Sequence, residues 1–597
     1  MMTPKELFLE LLKKDGRPDR ILRQYEALNM VMYDPINTYL RGNRVRGSVS
    51  RDRWGTVIDF PEDAPGAMPH VTEETKVVKD ITRWREFAKA PDLSVCAGGD
   101  WEACREKARA MDPRGEKLVT GFMGTGIFEQ CHFLIPFTDV LTYLYEYPRE
   151  MHELIDYILQ YRLRYVKMLI DGLHPDAILS HDDWGAKDAL FFRPEMWREF
   201  FKEPYRTFYG YIRSRGVITI HHSDSYLVPI LDDMAEIGIQ VWQGALPEND
   251  IPTQLRRMRG SMVFMGGIGA AVDRQDASPE EIRSYVSRTL ETCCPLGHFI
   301  PSITYGVPGA VYPQVDPVID ETIEEYNRSP HFPHTTAPLP ARRRRSVPLP
   351  GAGNVPPAAP ADAPASEPAR GKHALTPEEY LKEIASALRE GKKKRVTALT
   401  ARALDAGVDP RSILSDGLVA GMTAVGEDFS CGRVFVPEML MAARCMNAAT
   451  ELLKPRLAAG ASEDTDNRPA GTVCLGTVKG DLHDIGKNLV KIMMEGQGLH
   501  VVDLGTDVPA ESFVQAAVDH HADIIGCSAL LTTSMDEMRQ VVRLVRADHR
   551  LDNVKILVGG APVTQEYCDE IGADCYTEDA ASAARAAAVM LSGEESA

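Results

Sequence analysis

The stretch TVCLGTVKGDLHDIGKNLVKIMMEG, residues 472–496, reads as a strand, a polar loop and a helix in close succession. Its first seven residues are apolar or β-branched with no polar alternation, the pattern of a strand buried on both faces. The final KNLVKIMMEG returns apolar residues at helical spacing. Four further strand-like runs follow, VVDLGT, DIIGCSAL, KILVGGAP and DCYTED, each trailed by a helical pattern except where the chain ends. Five such units predict a doubly wound α/β domain of flavodoxin-like (Rossmann-type) topology over 471–597, which binds ligands at the carboxyl ends of its strands.

Outward from this domain the pattern changes. Residues 375–460 read as helices only, with a cap at Thr376 and breaks at Gly391, at Gly407 to Pro410 and at Gly432, so a four-helix bundle is expected. Prolines among Ala, Ser and Gly fill 330–374, a semi-extended linker able to reach on the order of 100 Å. Its basic run Arg342 to Arg345 reads as a solvated spacer or a weak latch onto acidic neighbours. Before the linker, strand-length runs at 118–122, 177–183, 217–224, 239–244, 262–269 and 298–306 alternate with amphipathic helices. Over 1–329 this predicts a (β/α)₈ barrel of the TIM type with an N-terminal extension. Its polar strand ends, His181, Asp182, Asp183, His222, Asp224, Gln243, Ser302, Thr304 and Tyr305, should converge on one mouth.

Composition bounds the function. Acidic residues outnumber basic ones by 86 to 67, a formal charge of −19, which argues against a surface that coats nucleic acid. Apolar runs are strand-length and interrupted by polar residues, so no membrane span is expected. Eleven cysteines without paired spacing, behind an opening that reads as an amphipathic helix rather than a signal sequence, point to a reducing cytoplasm.

The loop at 480–488 carries DxHxxG as Asp481, His483 and Gly486. A loop histidine offers a ring nitrogen to a metal, and an aspartate two residues earlier can hold the other ring N–H and fix the tautomer. Gly486 removes a side chain where a planar cofactor would approach; Gly559 and Gly560 clear backbone space beside Ser528 and Leu530. At these residues the chain resembles the cobalamin-binding domains of corrinoid-dependent methyltransferases. The resemblance implies cobalamin with cobalt ligated from below by His483 and Asp481 in support. It also implies a nucleotide tail lodged beside Ser528, Leu530, Gly559 and Gly560, and a helical cap over the corrin. Met422, Val425, Val436 and Met439 are cap candidates that read as core packing before cofactor contact.

The first domain resembles the methyltransferase branch of the uroporphyrinogen decarboxylase superfamily, which usually holds zinc through HxC and a later cysteine. Here the matching positions are His222, Asp224 and Ser302, a set without thiolate that would hold zinc weakly, another ion, or none. Without a metal, His181, Asp182, Asp183, His222, Asp224 and Tyr305 form a catalytic cluster suited to proton donation, although the acids of HDDWG also read as a turn capped by backbone amides. The five arginines between Arg41 and Arg53 read as an anion site or a solvated surface. Together the resemblances imply a fused enzyme that takes a methyl group from a small substrate onto its own corrinoid. Onward transfer would go to tetrahydrofolate or a thiol through a downstream methyltransferase, with a reductive activase maintaining the cobalt. Three alternatives stand beside it: methyl flow from the corrinoid to a thiol, a decarboxylase fused to a corrinoid carrier, and a non-catalytic cobalamin store.

Overall fold

The computed structural model of the chain describes residues 2–42, 44–62, 66–274, 276–305, 311–329, 375–459, 471–481, 485–529, 534–560 and 563–592. The linker at 330–374, with Arg342 to Arg345, and the expected ligands His483 and Leu530 lie outside these residues.

Seven parallel strands form the first sheet in chain order: Leu28–Val31, Leu118–Met123, Ala177–His181, Ile218–His222, Val241–Ala245, Val263–Ile268 and Phe299–Ile303. The six anticipated strands are all present, and the first had not been read because LNMV lacks the β-branched density of the others. The gap between the first and last strands is crossed by Gln24, whose backbone N–H donates to the Pro301 carbonyl (3.2 Å) and whose Oε1 accepts from the Ile303 N–H (3.3 Å). An irregular segment thus bridges the edges where an eighth strand was expected, satisfying backbone groups that would otherwise be stranded. Helices such as Pro148–Leu173 and Glu203–Ser214 pack outside, and Trp184, Trp197, Tyr205 and Phe208 fill the layer between them and the strands. The arginine-rich segment enters a small antiparallel sheet of Ser48–Arg51, Val57–Phe60 and Met68–Pro69, where Arg46 lies over the Phe60 ring and Arg53 over Tyr39.

After the linker, helices Pro377–Arg389, Lys393–Asp405, a run from Pro410 to Ser430 with a widened turn at Ile413–Val419, and Val436–Ala459 make the four-helix bundle. A second parallel sheet follows. Its strands, Thr472–Val478, His500–Val508, Ile524–Ser528, Lys555–Gly559 and Cys575–Thr577, lie with the second outermost, then the first, third, fourth and fifth. That order is the flavodoxin-like one, with its switch point beside the first strand. Met422, Val425 and Met439 are buried in an apolar cluster that joins the bundle to the second sheet and its helices, the packing role the sequence also allowed.

The bundle rests on the barrel. Val436 and Leu440 join the barrel's apolar cluster, and Phe435 packs against it. Glu438 accepts from the Tyr145 hydroxyl and from Arg193 Nε, while Arg444 pairs with Asp139 and Glu146. Tyr145, Asp139 and Glu146 belong to helix Phe137–Glu146, and Arg193 ends the loop that begins at Asp182. Both follow strands at their carboxyl ends, so the bundle docks on the rim of the barrel mouth.

Candidate functional site

Cross-strand register builds the mouth. His181 pairs with His222, and His222 with Gln243, so three side chains stand in one row across adjacent strands. The two imidazoles stack with centroids 4.4 Å apart. Each is held by its Nδ1: His181 by Glu129 Oε1 at 2.8 Å, His222 by Gln243 Oε1, with Gln243 Nε2 donating in turn to the Tyr25 hydroxyl at 2.9 Å. One nitrogen from each ring and an Asp183 oxygen lie within 4.8 Å of one another. Asp183 Oδ1 accepts from the Asp224 backbone N–H at 3.1 Å.

Glu129, which the sequence did not single out, completes the cluster. It is the third residue of helix Ile127–Leu134, and its Oε2 accepts from the Gly126 N–H at 3.0 Å. Burial alone would neutralise His181, but the charges of Glu129, Asp183 and Asp224 raise its pKa to about 10. Burial works against Glu129 too, and the His181 charge overcomes it and lowers its pKa. His222 is pushed down to about 4, by burial first and the neighbouring His181 charge second. Burial and then Asp183 raise the Asp224 carboxyl well above the ordinary range.

Three expected participants are committed elsewhere. Asp182 is fully buried and its two oxygens accept from the Phe128 and Glu129 N–H groups at 3.0 and 2.9 Å, the geometry of a helix cap rather than a mouth residue. Gly126 makes that cap feasible, since a Cβ there would fall 2.0 Å from Asp182 Cγ. Ser302 Oγ donates to the Ile303 carbonyl at 3.0 Å and does not join His222 and Asp224 as a third ligand. Tyr305 donates to Asp273 Oδ2 at 2.6 Å, and Tyr312 N–H donates to Asp273 Oδ1, so the Tyr305 hydroxyl is committed to Asp273 rather than to the histidines. The thiolate set usual for the resembled branch is therefore not reproduced by His222, Asp224 and Ser302, and the groups that do gather are His181, Asp183 and His222.

At the second sheet, Thr477, Ser528, Gly559 and Thr577 line up in register across four strands at their carboxyl ends. The two threonines were not read from sequence; they stand one residue before or at the end of their strands and carry no motif. Asp481 is buried, its Oδ2 accepting from Ser534 Oγ at 3.1 Å and its carbonyl from the Asp507 N–H at 3.0 Å. Lys487, also buried, donates to Asp503 at 2.6 Å and so ties the helix after the motif to the neighbouring strand. A Cβ on Gly486 or Gly505 would meet nothing within 4 Å, whereas one on Gly560, at φ +127°, would fall 1.8 Å from the Ala529 carbonyl oxygen. Open space beside Gly486 fits the approach of a bulky planar cofactor above the strand ends, whereas at Gly560 the Ala529 backbone already takes the room that a side chain would need.

Residues 471–588 and 380–454 each match a B12 binding domain, and residues 49–322 match the uroporphyrinogen decarboxylase (URO-D) family. Dimethylamine corrinoid protein 2 of Methanosarcina acetivorans is 42% identical over 217 residues, 36% of this chain and 98% of that protein. Trimethylamine corrinoid protein 1 of the same organism is 41% identical over 203 residues, 34% of this chain and 93% of that one. Among solved structures, the methanol:cobalamin methyltransferase complex MtaBC of Methanosarcina barkeri is 30% identical, with a TM-score of 0.33, covering 37% of this chain and 87% of that one. No helix among the described residues is long and apolar enough to cross a membrane. Its carboxy-terminal cobalamin-binding module, matched along nearly the whole length of these relatives and preceded by a uroporphyrinogen decarboxylase-type barrel, places the chain in the corrinoid-protein family of corrinoid-dependent methyl transfer.

Proposed function

We propose that the chain demethylates a small methylated compound in the barrel mouth and passes the methyl group to cobalamin held by its own carboxy-terminal module. A second methyltransferase then delivers it to tetrahydrofolate or a thiol, and a reductive activase keeps the cofactor competent. The observation that carries this reading is the docking of the cap on the mouth's rim through Glu438, Arg193, Tyr145 and Arg444, next to the row His181–His222–Gln243. A bound corrinoid supplies the methyl-accepting cobalt. The barrel's share is to bind and orient the donor: Asp182 fixes the start of helix Ile127–Leu134, that helix presents Glu129, and Glu129 holds His181 in the mouth. Tethering two such units raises their mutual effective concentration into the millimolar range for a linker that can span the sites.

The relatives' names make methylated amines the first donors to test, followed by ethers, halides and thioethers. The full chain is loaded with cobalamin, reduced, and offered each compound while the absorbance of the bound corrinoid is followed. The expected outcome is a spectral change with one donor class, lost in His222→Ala at unchanged corrinoid content. Carbon dioxide released from a carboxylated compound, with no spectral change from any methylated one, favours the decarboxylase reading instead.

A further inference from the structure

We propose that His181, His222 and Asp183 form a mononuclear site for a divalent metal of the zinc class at the barrel mouth. This differs from the set anticipated by position at two ligands, because His181, at the end of the neighbouring strand, and Asp183, just beyond it, stand in place of Ser302 and Asp224. Tetrahedral zinc with ~2.1 Å bonds needs donors about 3.4 Å apart. The three donors here lie within 4.8 Å of one another, so small side-chain rotations close the site.

The stronger argument is what holds the three side chains. Metal-binding histidines characteristically give their other ring N–H to a carboxylate or carbonyl, which fixes the tautomer and turns the free lone pair toward the ion. His181 meets Glu129 through Nδ1. His222 meets Gln243 Oε1 through Nδ1, and Gln243 is oriented because its own Nε2 donates to Tyr25. On both rings the nitrogen left over is Nε2. Asp183 has one oxygen engaged by the Asp224 N–H, leaving the other available. All three first ligands are thus steadied through atoms the metal does not need.

Charge agrees with this arrangement, since the carboxylates of Asp183 and Glu129 together balance a divalent ion. Three protein ligands leave an open coordination position, the pattern of a catalytic rather than a structural site. The donor set is nitrogen and oxygen; Cys131, in the helix that carries Glu129, turns its Sγ to the Ile127 carbonyl. The use of the ion rests on the methyl-transfer reading: the open position would take the donor's heteroatom and stabilise the electron pair it keeps when its bond to the methyl carbon breaks, while the reduced corrinoid would supply the pair for the new bond to that carbon.

The test is made on the full chain, stripped with a chelator and titrated with Zn²⁺ against a chromophoric competitor. One equivalent should bind tightly. His181→Ala, His222→Ala and Asp183→Asn should each weaken binding at least 100-fold, Glu129→Gln about 10- to 100-fold, and Ser302→Ala should leave it unchanged. Circular dichroism and corrinoid content confirm that each variant is folded; Asp183→Asn, nearly isosteric, keeps the test decisive should an alanine variant fail to fold. Wild-type protein that binds no tight equivalent, or His222→Ala binding as tightly as wild type, overturns the site. Tight zinc without any methyl donor accepted would sink the methyl-transfer reading alone, and methyl transfer undiminished in stripped protein would sink the metal alone.

Discussion

The barrel mouth and the cobalamin-side edge stand at the same place in their sheets, the carboxyl ends of parallel strands, yet they are built in opposite ways. The mouth is filled with polar side chains, each held by a polar neighbour: His181 by Glu129, His222 by Gln243, Asp183 by the Asp224 backbone N–H. The other edge is emptied. Its row is Thr477, Ser528, Gly559 and Thr577, and space opens around Gly486 and Gly505. A site that acts on a small substrate has to supply charge and orientation itself, whereas one that carries a large cofactor has to supply room.

Glycine substitutions break this contrast most severely. Gly560→Ala forces a Cβ into the Ala529 carbonyl at a backbone angle that disfavours side chains, so a destabilisation of about 3 kcal/mol or more is expected, with loss of bound cobalamin, read by thermal unfolding and corrinoid content. At the mouth the comparable break is Asp182→Ala. It strands two helix-start amides, at about 2 to 3 kcal/mol by the cost of buried unsatisfied groups, and frees Glu129. Donor turnover should fall while cobalamin binding by the separate module persists. Next comes the rim: Glu438→Ala removes the acceptor shared by Tyr145 and Arg193, and single-turnover methyl transfer should slow about tenfold, equivalent to ~1.4 kcal/mol, at unchanged corrinoid content. The smallest effect on folding and the sharpest on room is Gly486→Ala. Its Cβ meets nothing within 4 Å, so stability should stay within about 0.5 kcal/mol while cobalamin affinity falls; unaltered affinity would show that the space is not the cofactor's.

Much of the architecture was legible because parallel strands buried on both faces announce themselves as apolar runs, and the strand and helix read at 472–496 are both present in the second sheet's domain. The mouth was legible as a set of residues but not as an arrangement. Side chains at a strand end alternate in direction, so His181 and Asp183 share the mouth while Asp182 between them turns back to cap a helix. His221 and His222 divide the same way, His221 stacking on Trp184 in the outer layer. Reading HDD and HHSD with that period separates mouth residues from supports. Glu129 had no such signal: its contact with His181 spans 52 positions and exists only once the helix is docked. The same holds for Tyr25 and Gln243, joined across 218 positions.

The most direct test of donor and carrier working within one chain is the rate at which reduced, cobalamin-loaded protein takes up a methyl group in a single turnover, measured at two protein concentrations tenfold apart with saturating donor. Transfer from the mouth to the chain's own module predicts the same first-order rate at both. A rate that rises in proportion to protein concentration would contradict it, because the methyl group would then be moving between molecules.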